Sequence, residues 1–381
     1  MNVTKPNQCT GCSLCIHVCP VGAIKQVLPP KAAFWYPEVD ESLCVKCNQC
    51  VAACPQNHAA LSSNEEQLLL AQNTELDSLK AATSGGVASA LAKAFVQKGG
   101  VVYGAAFDSS MRLRHIRCTD EKNCEKIKGS KYVQSDLWEV YAALASDLKQ
   151  HKDVLFIGTP CQCAGIRKAF EKHDALYCCD FICNGVGSPV VFEKHIAYLE
   201  RTYHCKIVNY VFRPKKYHYL EPYEWFIDSD GRDYHIKSPW KKWGSMYYSG
   251  LLVRPSCYEC KFIKPGASGS DITLSDIPLS LCDAADFPHD VKQYGGSLIR
   301  INTKKGEILL GKTGSLLYTK RMEGERNHTN KHTEQNPNDR DRFLTEACES
   351  LEKAKRQYLG LPLKFKGLLI ETLDRFRKKR G

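Results

Sequence analysis

Two copies of one cysteine spacing dominate the start of this chain. Cys9-x2-Cys12-x2-Cys15-x3-Cys19-Pro20 is followed by Cys44-x2-Cys47-x2-Cys50-x3-Cys54-Pro55. Two-residue gaps let three thiolates converge from one tight loop, while the fourth, held just before proline, points to the other centre. Thiolate sulfur suits iron, and a duplicated run of this kind is the ligand pattern of paired 4Fe-4S cubanes. It assigns Cys9, Cys12, Cys15 and Cys54 to one cluster, and Cys44, Cys47, Cys50 and Cys19 to the second. Zinc in four-cysteine sites is the competing occupant, but the duplicated run ending in proline speaks for iron.

The chain holds 20 cysteines in 381 residues. In a secreted protein they would suggest disulfides. The opening MNVTKPNQCTGC has no apolar stretch of the signal-peptide kind, and nowhere do 18 apolar residues run together. A cytoplasmic protein with no transmembrane segment is therefore expected. There, clustered thiols read as metal or redox groups, and the isolated Cys118, Cys124, Cys205, Cys282 and Cys348 as small buried apolar residues. The net charge is +11. No nucleic-acid motif accompanies it, so the expected partner is an electron-donor protein, either a ferredoxin or a subunit of a redox complex, and not a nucleic acid.

Residues 1–60 are read as a ferredoxin-type domain, and the polar stretch 61–80 as a partly helical connector. From Thr83 strand and helix signals alternate: VASALAKAFV as helix, VVYGAAF and MRLRHIRC as strands, VLFIG and ALYCCDFI as strands each followed by a helix. After 205 the texture becomes strand-rich, with KIVNYVFR, YEWFIDS and DYHIK. The expected fold is an α+β ferredoxin-like module followed by an α/β domain with a mainly parallel central sheet and a strand-rich C-terminal part. Residues 81–175 and 176–322 form its two parts. The polar segment 323–342 is read as a flexible loop within a tail, 323–381, that ends in basic helices. Arg377-Lys378-Lys379-Arg380 either lie solvated on a docked helix or make peripheral contact with a membrane surface.

Four segments carry chemistry in the larger part. Thr83-Ser84-Gly85-Gly86 opens a helix, whose free N–H groups and positive dipole end suit a phosphate. Lys131, beside Gly129, Ser130 and Tyr132, is within reach of a pyrophosphate or a flavin edge. Cys161 follows a buried strand and Thr159-Pro160, where α/β proteins build their sites. Cys257-x2-Cys260 is half a metal site. A two-cluster module needs few residues, and the usual companion of one-electron clusters in a larger domain is a flavin.

Together TSGGVASALA, GTPCQCAGIRKAF, CDFICNGVGSP, RPSCYECKF, SDITLSD and GGSLIRINTKKGE resemble the family of coenzyme F420 hydrogenase/dehydrogenase beta subunits, to which the plant 7-hydroxymethyl chlorophyll a reductase is related. The resemblance implies FAD in the α/β domain and a third 4Fe-4S cluster beside it. Carried over, Cys161, Cys183, Cys257 and Cys260 would hold that cluster, with Cys163 and Cys179 as substitutes. Thr83, Ser84, Gly85, Gly86, Gly129, Ser130, Lys131, Tyr132, Thr159, Asn184 and Asp271 would lie along FAD. After SDIT the family continues into a glycine-rich turn, whereas this chain reads Leu274-Ser275-Asp276-Ile277-Pro278 on the expected substrate face.

The function expected first is a ferredoxin-dependent flavin oxidoreductase, passing electrons from the clusters through FAD to a small organic acceptor. Two alternatives stand beside it: a deazaflavin (coenzyme F420) oxidoreductase subunit of a hydrogenase or dehydrogenase complex, and a pure electron relay. Tyr132, His218 and Asp276 are the candidate acids.

Overall fold

A computed structural model describes residues 3–61, 67–215, 224–322 and 337–360. The N-terminal module carries a hairpin of β1 (Ile24–Val27) and β2 (Tyr36–Val39), flanked by two one-turn helices, Leu14–His17 and Gln49–Ala53. The main sheet is built from β3 (Gln67–Asn73), β4 (Val101–Phe107), β5 (Leu113–Cys118), β6 (Val154–Ile157) and β7 (Leu176–Phe181). A second sheet holds β8 (Ile207–Val211), β9 (Glu224–Asp228) and β10 (Asp233–Ile236), and the main sheet is completed by β11 (Ile272–Asp276), β12 (Ser297–Ile301) and β13 (Leu317–Met322).

The eight strands lie in the order β13-β3-β12-β11-β7-β6-β4-β5. Its centre, β11-β7-β6-β4, is parallel, and the flanking pairs on both sides are antiparallel. Val154, Leu155 and Phe156 are fully buried, as strands covered on both faces must be. Alternate residues serve opposite layers. Val102 and Leu155 pack on the helix Val87–Gln97, whereas Val101, Tyr103, Val154 and Phe156 pack on helices Val140–Lys149 and Pro160–Ala169. Cys12 and Leu14 share this second layer, so the N-terminal module is fixed to the core through the helices that flank the site.

The second sheet is antiparallel and packs with helices Pro189–Tyr203, Pro337–Glu349 and Leu351–Tyr358. At its centre Glu224 accepts the Tyr210 hydroxyl and the N–H groups of Trp243 and Gly244.

Two sequence expectations are corrected. The stretch 61–80 contains β3, which pairs with both β12 and β13. Leu68, Leu69, Leu70 and Ala71 form an apolar run buried on both faces, a signature that the polar residues around it obscured. Within 323–342, residues from Pro337 open a 13-residue helix whose Phe343, Leu344 and Ala347 are buried. The rest of that loop, the basic tail and His218 lie outside the described residues. No described helix is long and apolar enough to cross a membrane.

The inner position of β3 predicts that Leu70→Ala, emptying a site 1% exposed, costs about 2–5 kcal/mol. Val208→Ala, at a site 48% exposed, stays within about 0.5 kcal/mol. Urea melts of the two variants check this. Equal midpoints would remove β3 from the core.

Candidate redox site

The two cysteine runs fold alike. Gly11 and Lys46 (φ 69° and 55°) precede the second cysteine of each run, and Ser13 and Asn48 (φ 63° and 59°) follow it, all left-handed. Side chains pay for that conformation, so its repetition at matched places marks a built backbone. Successive N–H groups arranged this way form the concave nests that surround Fe–S sites.

Several of these thiols lie close enough to one another to repel. Burial pushes Cys12 up to about 12, and the neighbouring Cys54 and Cys9 push it in the same direction. Cys15 is raised by burial and then by Cys12, Cys9, Cys54 and Cys50, and Cys54 by burial and Cys9. Cys50 is raised by burial, with Cys19 and Cys47 adding to the effect. Cys47 is exposed, so the second set faces solvent, while Cys9, Cys12 and Cys54 are buried.

A third set forms across the larger part. Cys161 begins the helix Pro160–Ala169, entered through a Thr159 whose N–H donates to Gln162 Oε1 at 3.1 Å. Cys183 follows β7 and accepts the N–H of Gly185 at 3.3 Å. Cys257 closes a short turn, with Cys260 just beyond. Burial raises Cys257 and Cys260 to about 12, and Cys161 repels both. Burial drives Cys183 well up, with Cys257, Cys161 and Cys260 adding to it. The substitutes face elsewhere: the Cys163 thiol lies against the Gly158 and Cys179 carbonyls inside the sheet. Among the described residues no three such side chains close on a single ion. A cubane holds its four sulfurs farther apart than one ion does. Four half-buried thiols that repel one another suit a centre that supplies positive charge, as iron does.

The first and third sets meet at Gly165. A Cβ there would lie 2.7 Å from Tyr141 Oη and 3.3 Å from Cys12 Sγ, so only glycine lets the module approach this helix. Tyr141 donates to the Cys12 carbonyl at 2.8 Å.

A cleft of about 510 Å³ opens at the C-terminal ends of β6 and β7, where parallel sheets bind ligands. Thr83, Ser84, Gly86, Gly129, Ser130, Lys131, Tyr132, Thr159 and Asn184 line it, together with Cys183 of the third set. Gly86 caps the helix Val87–Gln97 at φ 73° and leaves its first turn facing the cleft. Gly85 packs instead against Ser297 and the Ala71 carbonyl. Asp271 is outside the cleft: its carboxylate accepts Arg167 at 2.6 Å and the Cys178 N–H at 2.8 Å, pinning helix to sheet. Leu274, Ser275 and Asp276, the residues that depart from the family pattern, do line the wall.

Arg213 and His115 on the wall, and Lys215 behind it, had no sequence signal, because burial and long-range contact define them. Arg213 pairs with Asp276 at 2.9 Å and reaches the hydroxyl of Tyr132, whose ring stacks on Tyr247 with centroids 4.8 Å apart. Lys215 donates to the Leu79 carbonyl at 3.0 Å, to that of Ser84 and to that of Tyr294, holding the Thr83–Gly86 loop from below. Lys131 rests on the carbonyls that end the helix Glu121–Ile127, and burial lowers it to about 7. Burial lowers His115 to about 4; its Nε2 meets the Ile157 carbonyl at 3.0 Å.

Thiol sets and cleft define an iron–sulfur electron-transfer protein of the oxidoreductase type. Residues 8–59 match the 4Fe-4S dicluster domain, and residues 151–323 match the C terminus of the coenzyme F420 hydrogenase/dehydrogenase beta subunit. Over those residues the larger part is similar to that beta-subunit family. It is 22% identical over 178 residues to one component of the F420H2 dehydrogenase of Methanosarcina mazei. That match takes in 45% of this chain and about half, 51%, of the relative. A chain of the xenon-derivatised F420-reducing [NiFe] hydrogenase complex from Methanosarcina barkeri is 16% identical, with 80% of this chain and 94% of that one covered and a TM-score of 0.45.

Replacing Cys257 and Cys260 together by serine should lower iron in anaerobically prepared protein from roughly twelve to roughly eight atoms per chain. Iron and labile-sulfide assays check it, and an unchanged content would make the pair structural.

Proposed function

We propose that this chain exchanges electrons with coenzyme F420 as the iron–sulfur subunit of a hydrogenase- or dehydrogenase-type complex, using three 4Fe-4S clusters and FAD. The observation that carries the reading is the double role of Cys183. It belongs to the third thiol set and also walls the cleft. When bound there, the clusters supply one-electron carriage and the flavin supplies exchange between one- and two-electron chemistry.

The residues of the chain arrange the rest. The second set, with Cys47 exposed beside Val45 (61% exposed) and Leu43 (49%), offers the face for a redox partner. The first set is buried against the helix that carries Cys161, and the third joins it to the cleft. Helix N-terminus, Lys131 and the Lys215-braced loop suit the phosphates of FAD, while Arg213, Asp276 and Tyr132 shape the opposite wall.

The matched family and the F420H2 dehydrogenase relative support the deazaflavin reading over the small organic acceptor first expected. The size of the cleft speaks against a pure relay.

Mixing the anaerobic, oxidised full chain with reduced coenzyme F420 should reduce the clusters, seen as rising paramagnetic signals. No reaction with the deazaflavin, alongside turnover of another small acceptor, would return the reading to the first expectation.

A second expectation concerns pH. Burial places Lys131 near 7, so its ammonium is present below that value and lost above it. Bound flavin per cluster iron after anaerobic desalting should therefore be higher at about pH 6 than at about pH 8. Lys131→Gln, uncharged throughout, should flatten the difference. A variant profile as steep as the native one would remove Lys131 from flavin retention.

A further inference from the structure

Arg254 is 1% exposed and sits where the N-terminal module meets the larger part. Its Nε donates to the Cys9 carbonyl at 2.6 Å, Nη1 to Gln134 Oε1 at 2.7 Å, and Nη2 to the Trp35 carbonyl at 3.0 Å and to Cys9 Sγ at 3.7 Å. The guanidinium lies over the rings of Phe34 and Tyr36, 5.1 and 4.6 Å from their centroids. Its own carbonyl accepts the Cys257 N–H at 2.9 Å, so it borders the first and third thiol sets at once. Among the described residues it has no ion-pair partner. A buried cation with no anion beside it is costly, and a neutral shell does not remove that cost. A cubane held by four thiolates is anionic, and more so once reduced. The unpaired cation and the anionic centre complete each other.

We propose that Arg254 is the counter-charge of the electron junction between the first and third clusters, stabilising the reduced form of the first. The inference rests on the cluster reading of those two cysteine sets. The reaction it governs moves one electron from the reduced first cluster to the oxidised third, or back, and no bond or proton changes hands. Because the guanidinium bonds the sulfur of Cys9 directly and acts on Cys161 and Cys257 only through space, it favours reduction of the first cluster more than of the third.

The test is a redox titration of the full-length, anaerobically prepared chain, followed by electron paramagnetic resonance. Iron content is measured first, and the first-cluster signal is the one altered by Cys9→Ser. Roughly twelve irons with unshifted potentials would defeat this inference alone, whereas an iron content below eight would defeat the cluster reading beneath it. Arg254→Met should shift the first cluster toward oxidation about tenfold, equal to about 59 mV for a one-electron couple. The third cluster should shift less and the second not at all, and Arg254→Lys, which keeps the charge, should recover at least half of the change. Equal shifts in the Met and Lys variants, or none in either, would overturn the proposal. So would loss of four irons in both, which would make Arg254 a packing residue. Should Arg254→Met alone lose iron, Gln134→Glu sets a carboxylate against Nη1 with Arg254 in place. A lowered first-cluster potential there supports the counter-charge, and an unchanged one overturns it.

Discussion

A thiol buried beside other thiols ionises only if positive charge is brought among them, and this chain buries such thiols at the junction of its two parts. Cys12, Cys257 and Cys260 are each held near 12 by burial, with neighbouring sulfurs pushing the same way. Two cations oppose that push. Lys261 acts on Cys54 and Cys260 from the rim, and Arg254 acts on Cys161 and Cys257 from full burial. The rest of the architecture follows from meeting this constraint. Left-handed residues shape the first two runs, Gly165 admits Cys12 to the helix of Cys161, and Tyr141 ties the Cys12 backbone to the helix Val140–Lys149.

The sheet then turns that junction toward a ligand. Parallel β6 and β7 end side by side, and their following loops deliver Thr159 and Cys161 from one strand, Cys183 and Asn184 from the next. One loop therefore faces two ways, toward the sulfurs and toward the cleft. The antiparallel additions β12, β3 and β13 extend the sheet, and β12 anchors the Thr83–Gly86 loop, since Ser297 Oγ accepts the Gly85 N–H at 2.9 Å. Loop, helix start and Lys215 form one braced surface rather than an isolated glycine turn.

What the sequence disclosed follows the range of each signal. The eight N-terminal cysteines are local in sequence, so their spacing alone was enough to propose two sets of ligands. Cys161, Cys183, Cys257 and Cys260 are scattered, and only the family resemblance grouped them. The strand-helix alternation after Thr83 was plain, but the LLLA of β3 lay inside a polar stretch and read as helical connector. Lys215, Arg213 and His115 carry no motif, and Arg254 opens the RPSCYECKF block without being singled out there. Their importance comes from burial and from partners far away in sequence, such as Arg254 with Cys9. Asp271 was drawn to the flavin by its motif, yet its bonds to Arg167 and Cys178 hold the fold beneath the site.

The most direct test of the account is an anomalous-scattering map at the iron absorption edge from anaerobically grown crystals of the full chain. The account predicts three separate iron peaks, within the sets Cys9/Cys12/Cys15/Cys54, Cys44/Cys47/Cys50/Cys19 and Cys161/Cys183/Cys257/Cys260, the last of them bordering the cleft at Cys183. Two peaks confined to the N-terminal module, or a third peak on other cysteines, would contradict it.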